Sequence, residues 1–152
     1  MIEKPPPFVI KNSENEYKEY FEKNYCNKVI MTFDNIRVYF RKEHFKHAFF
    51  ESSKFNKIKD KFSFERAKRI DWIAATLKNK NSKLFKGWNS KKKMVNPNRR
   101  VAYCFKNYIV VIEIKKSKEG ILKGEFITAF SASNKTIKRI CSSPIWNIED
   151  IK

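Results

Sequence analysis

The feature that most limits the folds open to this chain is a succession of three β-patterned runs with very little between them. RRVAYCF (99–105), YIVVIEIKK (108–116) and GEFITAFSA (124–132) are rich in β-branched and aromatic residues. Only Lys106-Asn107 separates the first two, and Gly120 and Gly124 punctuate the approach to the third. Strands joined by so short a link run antiparallel, because a parallel pair needs a long crossover. An antiparallel meander is therefore expected. With Lys106-Asn107 as a two-residue turn, Tyr103 faces Val110, Val101 faces Ile112 and Arg100 faces Glu113. Simple alternation in the third run sets Thr128 between Phe126 and Phe130 on one face, with Ser131 on the other.

Earlier in the chain, KVIMTF and IRVYF flank Asp34-Asn35, a pair suited to a tight turn between strands. LFKGW is a further short strand. Pro5, Pro6 and Pro7 make residues 1–12 an extended arm. Ser13 with Glu16 forms a capping box that predicts a helix over about 14–25. Residues 43–52 suggest a short helix, and Asn134–Cys141 a last one before Pro144. The most strongly patterned helix runs from an N-cap at Ser63 to about Lys78, with Ala67, Ile70, Ile73, Ala74 and Leu77 on one stripe. Arg66 falls on that stripe, and Arg69 and Trp72 lie at its rim. The expected architecture is α+β: N-terminal helices packed on a curved antiparallel sheet in a single domain. Residues 1–27 would form an arm and short helix, and residues 28–152 the domain proper.

Charge narrows the partners. Lys and Arg number 34 against 16 Asp and Glu, a formal net charge of +18, and the cationic residues are interleaved with aromatics that make up 15% of the chain. Such a surface concentrates polyanions, and nucleic acid suits the pattern better than a membrane surface, since no long lopsided amphipathic helix is present. Three widely spaced cysteines with no CxxC pair imply a reducing compartment and no structural metal; with no Walker loop or dinucleotide fingerprint in the chain, no cofactor is expected. MIEKPPPFVI has no apolar leader core and no window approaches a membrane span, so no membrane insertion is expected.

On a helix, His44, His47 and Glu51 project together, opposite Phe45, Ala48 and Phe49. Paired imidazoles can serve as general base and general acid in phosphodiester cleavage, with Glu51 orienting a ring. The plainer alternative is a solvated polar face. Arg66 either pairs with a buried carboxylate or reaches an anion in a cleft beside the helix, where a guanidinium suits a phosphate and its transition-state charge. Arg100 opposite Glu113 is an ordinary cross-strand pair, although the small residues Ala102 and Cys104 on its face leave room for a ligand. Thr128, Ser131 and Lys135 are phosphate contacts, or a strand end and a helix cap. Trp72, Trp88 and Tyr103 are stacking platforms for unpaired bases, or core. Lys91, Lys92 and Lys93, with Arg99, supply sequence-independent attraction for phosphate.

The runs HFKHAFFESS, DKFSFERAKRIDWIAATL, RRVAYCFKNYIVVIEI and GEFITAF, in that order over roughly residues 35–146, give the chain a family likeness. It resembles the phage-associated domains grouped with the barnase–EndoU–colicin–RelE (BECR) nucleases. The resemblance implies helices preceding a curved antiparallel sheet, and metal-independent RNA cleavage through a 2′,3′-cyclic phosphate. By it, the matching positions are His47, Arg66, Arg69 and Trp72, then Arg100 and Thr128. It further implies a toxin or a phage or prophage nuclease, acting in the cytoplasm of its own or a target cell. RNA, with tRNA one candidate, and an immunity or antitoxin protein would be the partners. The expected function is therefore an endoribonuclease using His47 and Arg66, supported by Arg100 and Thr128. Its rivals are a noncatalytic RNA- or DNA-binding module of the same fold, and a protein-interaction domain.

Overall fold

In the computed structural model, residues 4–51, 61–86, 88–89, 94–95, 100–142 and 145 are described. The three β-patterned runs form the centre of a six-stranded sheet. Its strands are β1 (Ile30–Met31), β2 (Arg37–Tyr39), β5 (Lys83–Lys86), β8 (Arg100–Phe105), β9 (Tyr108–Lys116) and β10 (Leu122–Ser131), in the spatial order β1-β2-β10-β9-β8-β5. Two small ladders pair β3 (Phe50–Glu51) with β4 (Lys61–Phe62) and β6 (Trp88–Asn89) with β7 (Met94–Val95). The β8–β9 turn puts Lys106 in the left-handed region (φ 55°), and the register is the expected one: Arg100 opposite Glu113, Val101 opposite Ile112, Tyr103 opposite Val110.

Three expectations need correction. The sheet is mixed, because β2 lies parallel to β10 while every other pair is antiparallel. Gly124 sits at that parallel junction, where an added Cβ would lie 3.2 Å from Ile112 and 3.3 Å from Val38. Second, β10 is not a simple alternating strand. A bulge at Ile127 shifts the register between Phe126 and Thr128, so Phe126 packs in the main core and Phe130 against the opposite face. Third, the helix expected over residues 63–78 is two, α3 (Phe64–Ala67) and α4 (Ile70–Lys78), broken at Lys68–Arg69.

Alternation along β9 sorts the core into two layers. Tyr108, Val110, Ile112 and Ile114 face the layer of α1 (Glu14–Phe21), α2 (His44–Phe49), α3 and α4. There they meet Tyr17, Phe21, Phe45, Phe49, Ile70, Ile73 and Leu77. Ile109 and Val111 face α5 (Asn134–Cys141), which contributes only Ile137 and Ile140 to the smaller layer. α1 is capped as its sequence predicts, with Ser13 accepting from the Glu16 amide, and a π-helical turn over Glu22–Cys26 extends it. Its side chains Tyr17 and Phe21, with Tyr25 from that turn, belong to the main core.

The arm is strapped across α4. The Trp72 indole donates to Pro6 O at 2.7 Å, and the Val9 amide to Lys68 O at 2.9 Å. The Tyr17 hydroxyl donates to Val9 O at 2.7 Å, and Phe8 stacks on Trp72 with ring centroids 5.5 Å apart.

Candidate functional site

Helix α2 is six residues long, so its last carbonyls must find partners outside it. Lys46 O accepts from the Phe50 amide. His47 O accepts from the Thr128 hydroxyl at 3.2 Å, Ala48 O from Arg66 Nη1 at 3.5 Å, and Phe49 O from the Ser63 amide at 2.7 Å. Side chains of β10 and α3, with the N-cap amide of α3, therefore cap α2 at its C-terminus. Thr128 and Arg66, remote in sequence, meet there on consecutive carbonyls.

Beside this junction lies a cleft of about 140 Å³. Glu51, Glu65, Arg66 and Arg69 line it from the helical side, and Tyr108 with Ser131 from the sheet, where those two residues are cross-strand partners. Arg69 is held by the Glu65 carbonyl and carboxylate, its guanidinium 5.2 Å from the Phe8 ring and 5.3 Å from the Trp72 ring. Its buried Nε–H has no hydrogen-bond partner among the described residues. Glu65 is held below the ordinary carboxyl range, first by its hydrogen bond to Lys68 and then by the charges of Lys68 and Arg69. Burial pushes the Tyr108 phenol well above its usual value, against the opposing pull of Arg69 and Arg66. Both guanidiniums thus act on the same hydroxyl, and the carboxylates of Glu51 and Glu65 stand beside them in the lining.

The remaining candidates fall into groups. His47 is exposed on α2 and tied through its carbonyl to Thr128, the neighbour of cleft-lining Ala129. Glu51 belongs to β3, not to the helix, so it does not share a helical face with the histidines. His44 is buried; its Nδ1 accepts from the Arg41 amide at 3.0 Å and its Nε2 lies 3.5 Å from Glu125. Trp72 is sandwiched into packing by Phe8 on its face and Tyr108 at its edge. Tyr103 is fully buried, its hydroxyl donating to Asp34 at 2.9 Å. Arg100 shares the α5 face of β8 with Ala102 and Cys104, away from the cleft, and Lys135 is exposed on α5 itself. Lys91, Lys92, Lys93, Arg99 and the Trp88 side chain lie outside the described residues.

The structure therefore brings together Arg66, Arg69, Thr128, Ser131 and the His47 backbone, and does not bring Arg100, Lys135, Tyr103 or the His44 ring to them. Tyr108 was not singled out by sequence reasoning. Its position directly after the hairpin turn fixes it opposite Phe105, but its pairing with Ser131 depends on the bulged β9–β10 register, which the sequence pattern does not record. Among the described residues no cluster of three or more His, Cys, Asp or Glu side chains is arranged to hold a metal ion, and no helix is long and apolar enough to cross a membrane. No protein-family model, curated protein or solved structure matches the chain.

Proposed function

We propose that the cleft beside α3 takes a phosphodiester of RNA and that the chain is an endoribonuclease working without a metal ion. The supporting observation is the convergence of Arg66, Arg69, Ser131 and Glu51 on one cleft at the end of the helix that carries His47. In this reading the guanidiniums of Arg66 and Arg69 hold the nonbridging oxygens and meet the charge that grows on them in the transition state. A base takes the proton of the ribose 2′-OH as the O2′–P bond forms. The P–O5′ bond breaks, and an acid returns a proton to O5′, leaving a 2′,3′-cyclic phosphate and a 5′-hydroxyl. His47 and Glu51 are the two groups assigned to these proton transfers. The resemblance to BECR nucleases extends the reading to a toxin or phage protein with an immunity or antitoxin partner.

A second reading, a noncatalytic RNA-binding module, draws on a different observation. Arg66 and Thr128 are already engaged by α2 carbonyls, and His47 is not among the described residues lining the cleft. An RNase assay in excess EDTA separates the two. The enzyme reading expects cyclic-phosphate ends, with His47→Ala slowing cleavage by roughly 10²–10⁴-fold at an unchanged melting temperature. Salt-sensitive binding with no product supports the second reading. Cleavage that requires a divalent ion, or that His47→Ala leaves untouched, removes the mechanism proposed here.

A further inference from the structure

Tyr108 borders a second space as well as the cleft. This is a cavity of about 110 Å³ between the arm, α4 and the β8–β9 turn, walled by Pro6, Trp72, Ala75, Phe105 and Tyr108. We propose that it is a base subsite that accepts a pyrimidine of the bound RNA strand, an inference that rests on the phosphate cleft described above.

Three observations favour this occupant. The first is chemistry. The walls are largely aromatic and apolar, while Asn107 offers a side-chain amide with both a donor and an acceptor. Unpaired bases are recognised in this way, by aromatic contact on the ring and hydrogen bonds at its edge. Exposed Lys4 and Lys106 also line the cavity, which suits a ligand attached to a polyanion.

The second is position. In a nucleotide one ribose separates base from phosphate. Tyr108 is common to both spaces, and Arg69 of the cleft lies against Trp72 of the cavity with its guanidinium 5.3 Å from the ring. A strand whose phosphate meets Arg69 therefore has a base next to the cavity.

The third is size. An apolar cavity of roughly 150 Å³ takes a benzene-sized ring. A space of about 110 Å³ is smaller than that and opens to solvent, so it admits a base only in part, and the single ring of a pyrimidine leaves less outside than the fused rings of a purine.

The test is a titration of the full chain with uridine 3′-phosphate, adenosine 3′-phosphate, ribose 5-phosphate and free uridine, read by the Trp72 indole resonance and by calorimetry. Uridine 3′-phosphate is expected to bind at least about tenfold more tightly than the adenosine and base-free compounds, and to shift the indole signal. Ala75→Leu, which fills the cavity from the half-buried side of α4, should abolish that advantage and leave ribose 5-phosphate binding as it was. Phe105→Ala, which widens the space, should relax the discrimination against adenosine. Equal binding of the uridine and base-free phosphates overturns the base subsite alone, as does a uridine preference that survives Ala75→Leu. A shift with free uridine but no gain from any phosphate keeps the cavity and removes the phosphate cleft. No response to any probe removes both.

Discussion

Arg66 is the residue on which the structural role and the proposed functional one overlap most closely. It lies on α3, lines the cleft, and spends one Nη1 hydrogen bond on Ala48 O. A guanidinium has five N–H donors, so capping a carbonyl leaves others for an anion. His44 is clearer. Its Nδ1 accepts a backbone N–H, which requires the neutral ring with its proton on Nε2. Burial lowers its pKa, outweighing the pull of Glu125 and Glu43 in the other direction, while nearby His47 and Arg41 push it further down. The unfolded chain therefore takes up this proton before the folded one does. Stability should be fully present above the ordinary histidine value and fall as pH drops through the lower folded value. Thermal melts from pH 7 to pH 5 should show that decline. His44→Asn, which keeps an acceptor for the Arg41 amide and cannot titrate, should flatten it. Parallel curves for the two proteins would refute the assignment.

At the scale of elements, contacts from far along the chain reshape helices that would otherwise run on. Lys68 O is taken by the Val9 amide, and the Arg69 and Trp72 amides bond three residues back, so α3 and α4 part company there. In α4 the Tyr25 hydroxyl donates to Ile70 O and accepts from the Ala74 amide, sitting within the first turn. The bulge in β10 belongs with these. Thr128, just after it, holds the His47 carbonyl. Thr128→Val keeps the shape and removes the donor, so it should cost about 1 kcal/mol. Urea unfolding would register this as a lower midpoint at constant slope. An unchanged midpoint would mean that the hydroxyl is not what secures the end of α2.

For the molecule as a whole, a net charge of +18 on 152 residues acts in two opposite senses. Like charges repel across the folded surface, and this repulsion is screened beyond about 8 Å at physiological ionic strength. Adding salt to a low-salt solution should therefore raise the melting temperature. RNA affinity should fall over the same range, with a log–log slope of about −0.7 per neutralised phosphate on a single strand. Arg69→Ala should make that slope shallower by roughly one phosphate contact. A melting temperature that falls with salt would show that attractive pairs, such as Arg41 with Glu125 and Lys68 with Glu65, outweigh the excess of like charge.

The amino-acid sequence alone determined the features that depend on neighbours in the chain. Ser13 and Ser63 cap the helices that follow them, because a cap needs only a hydroxyl two or three residues before a free amide. The meander and the β8–β9 register follow likewise from alternation and a two-residue turn. Tertiary structure alone decided that β2 lies parallel to β10, that a bulge sends Phe126 and Phe130 to opposite faces, and that Val9 interrupts a continuous helical pattern. The cleft belongs to this second group. Arg66, Tyr108 and Ser131 become neighbours only when a helix, a turn and a strand end pack together, and no periodicity within one segment records that meeting.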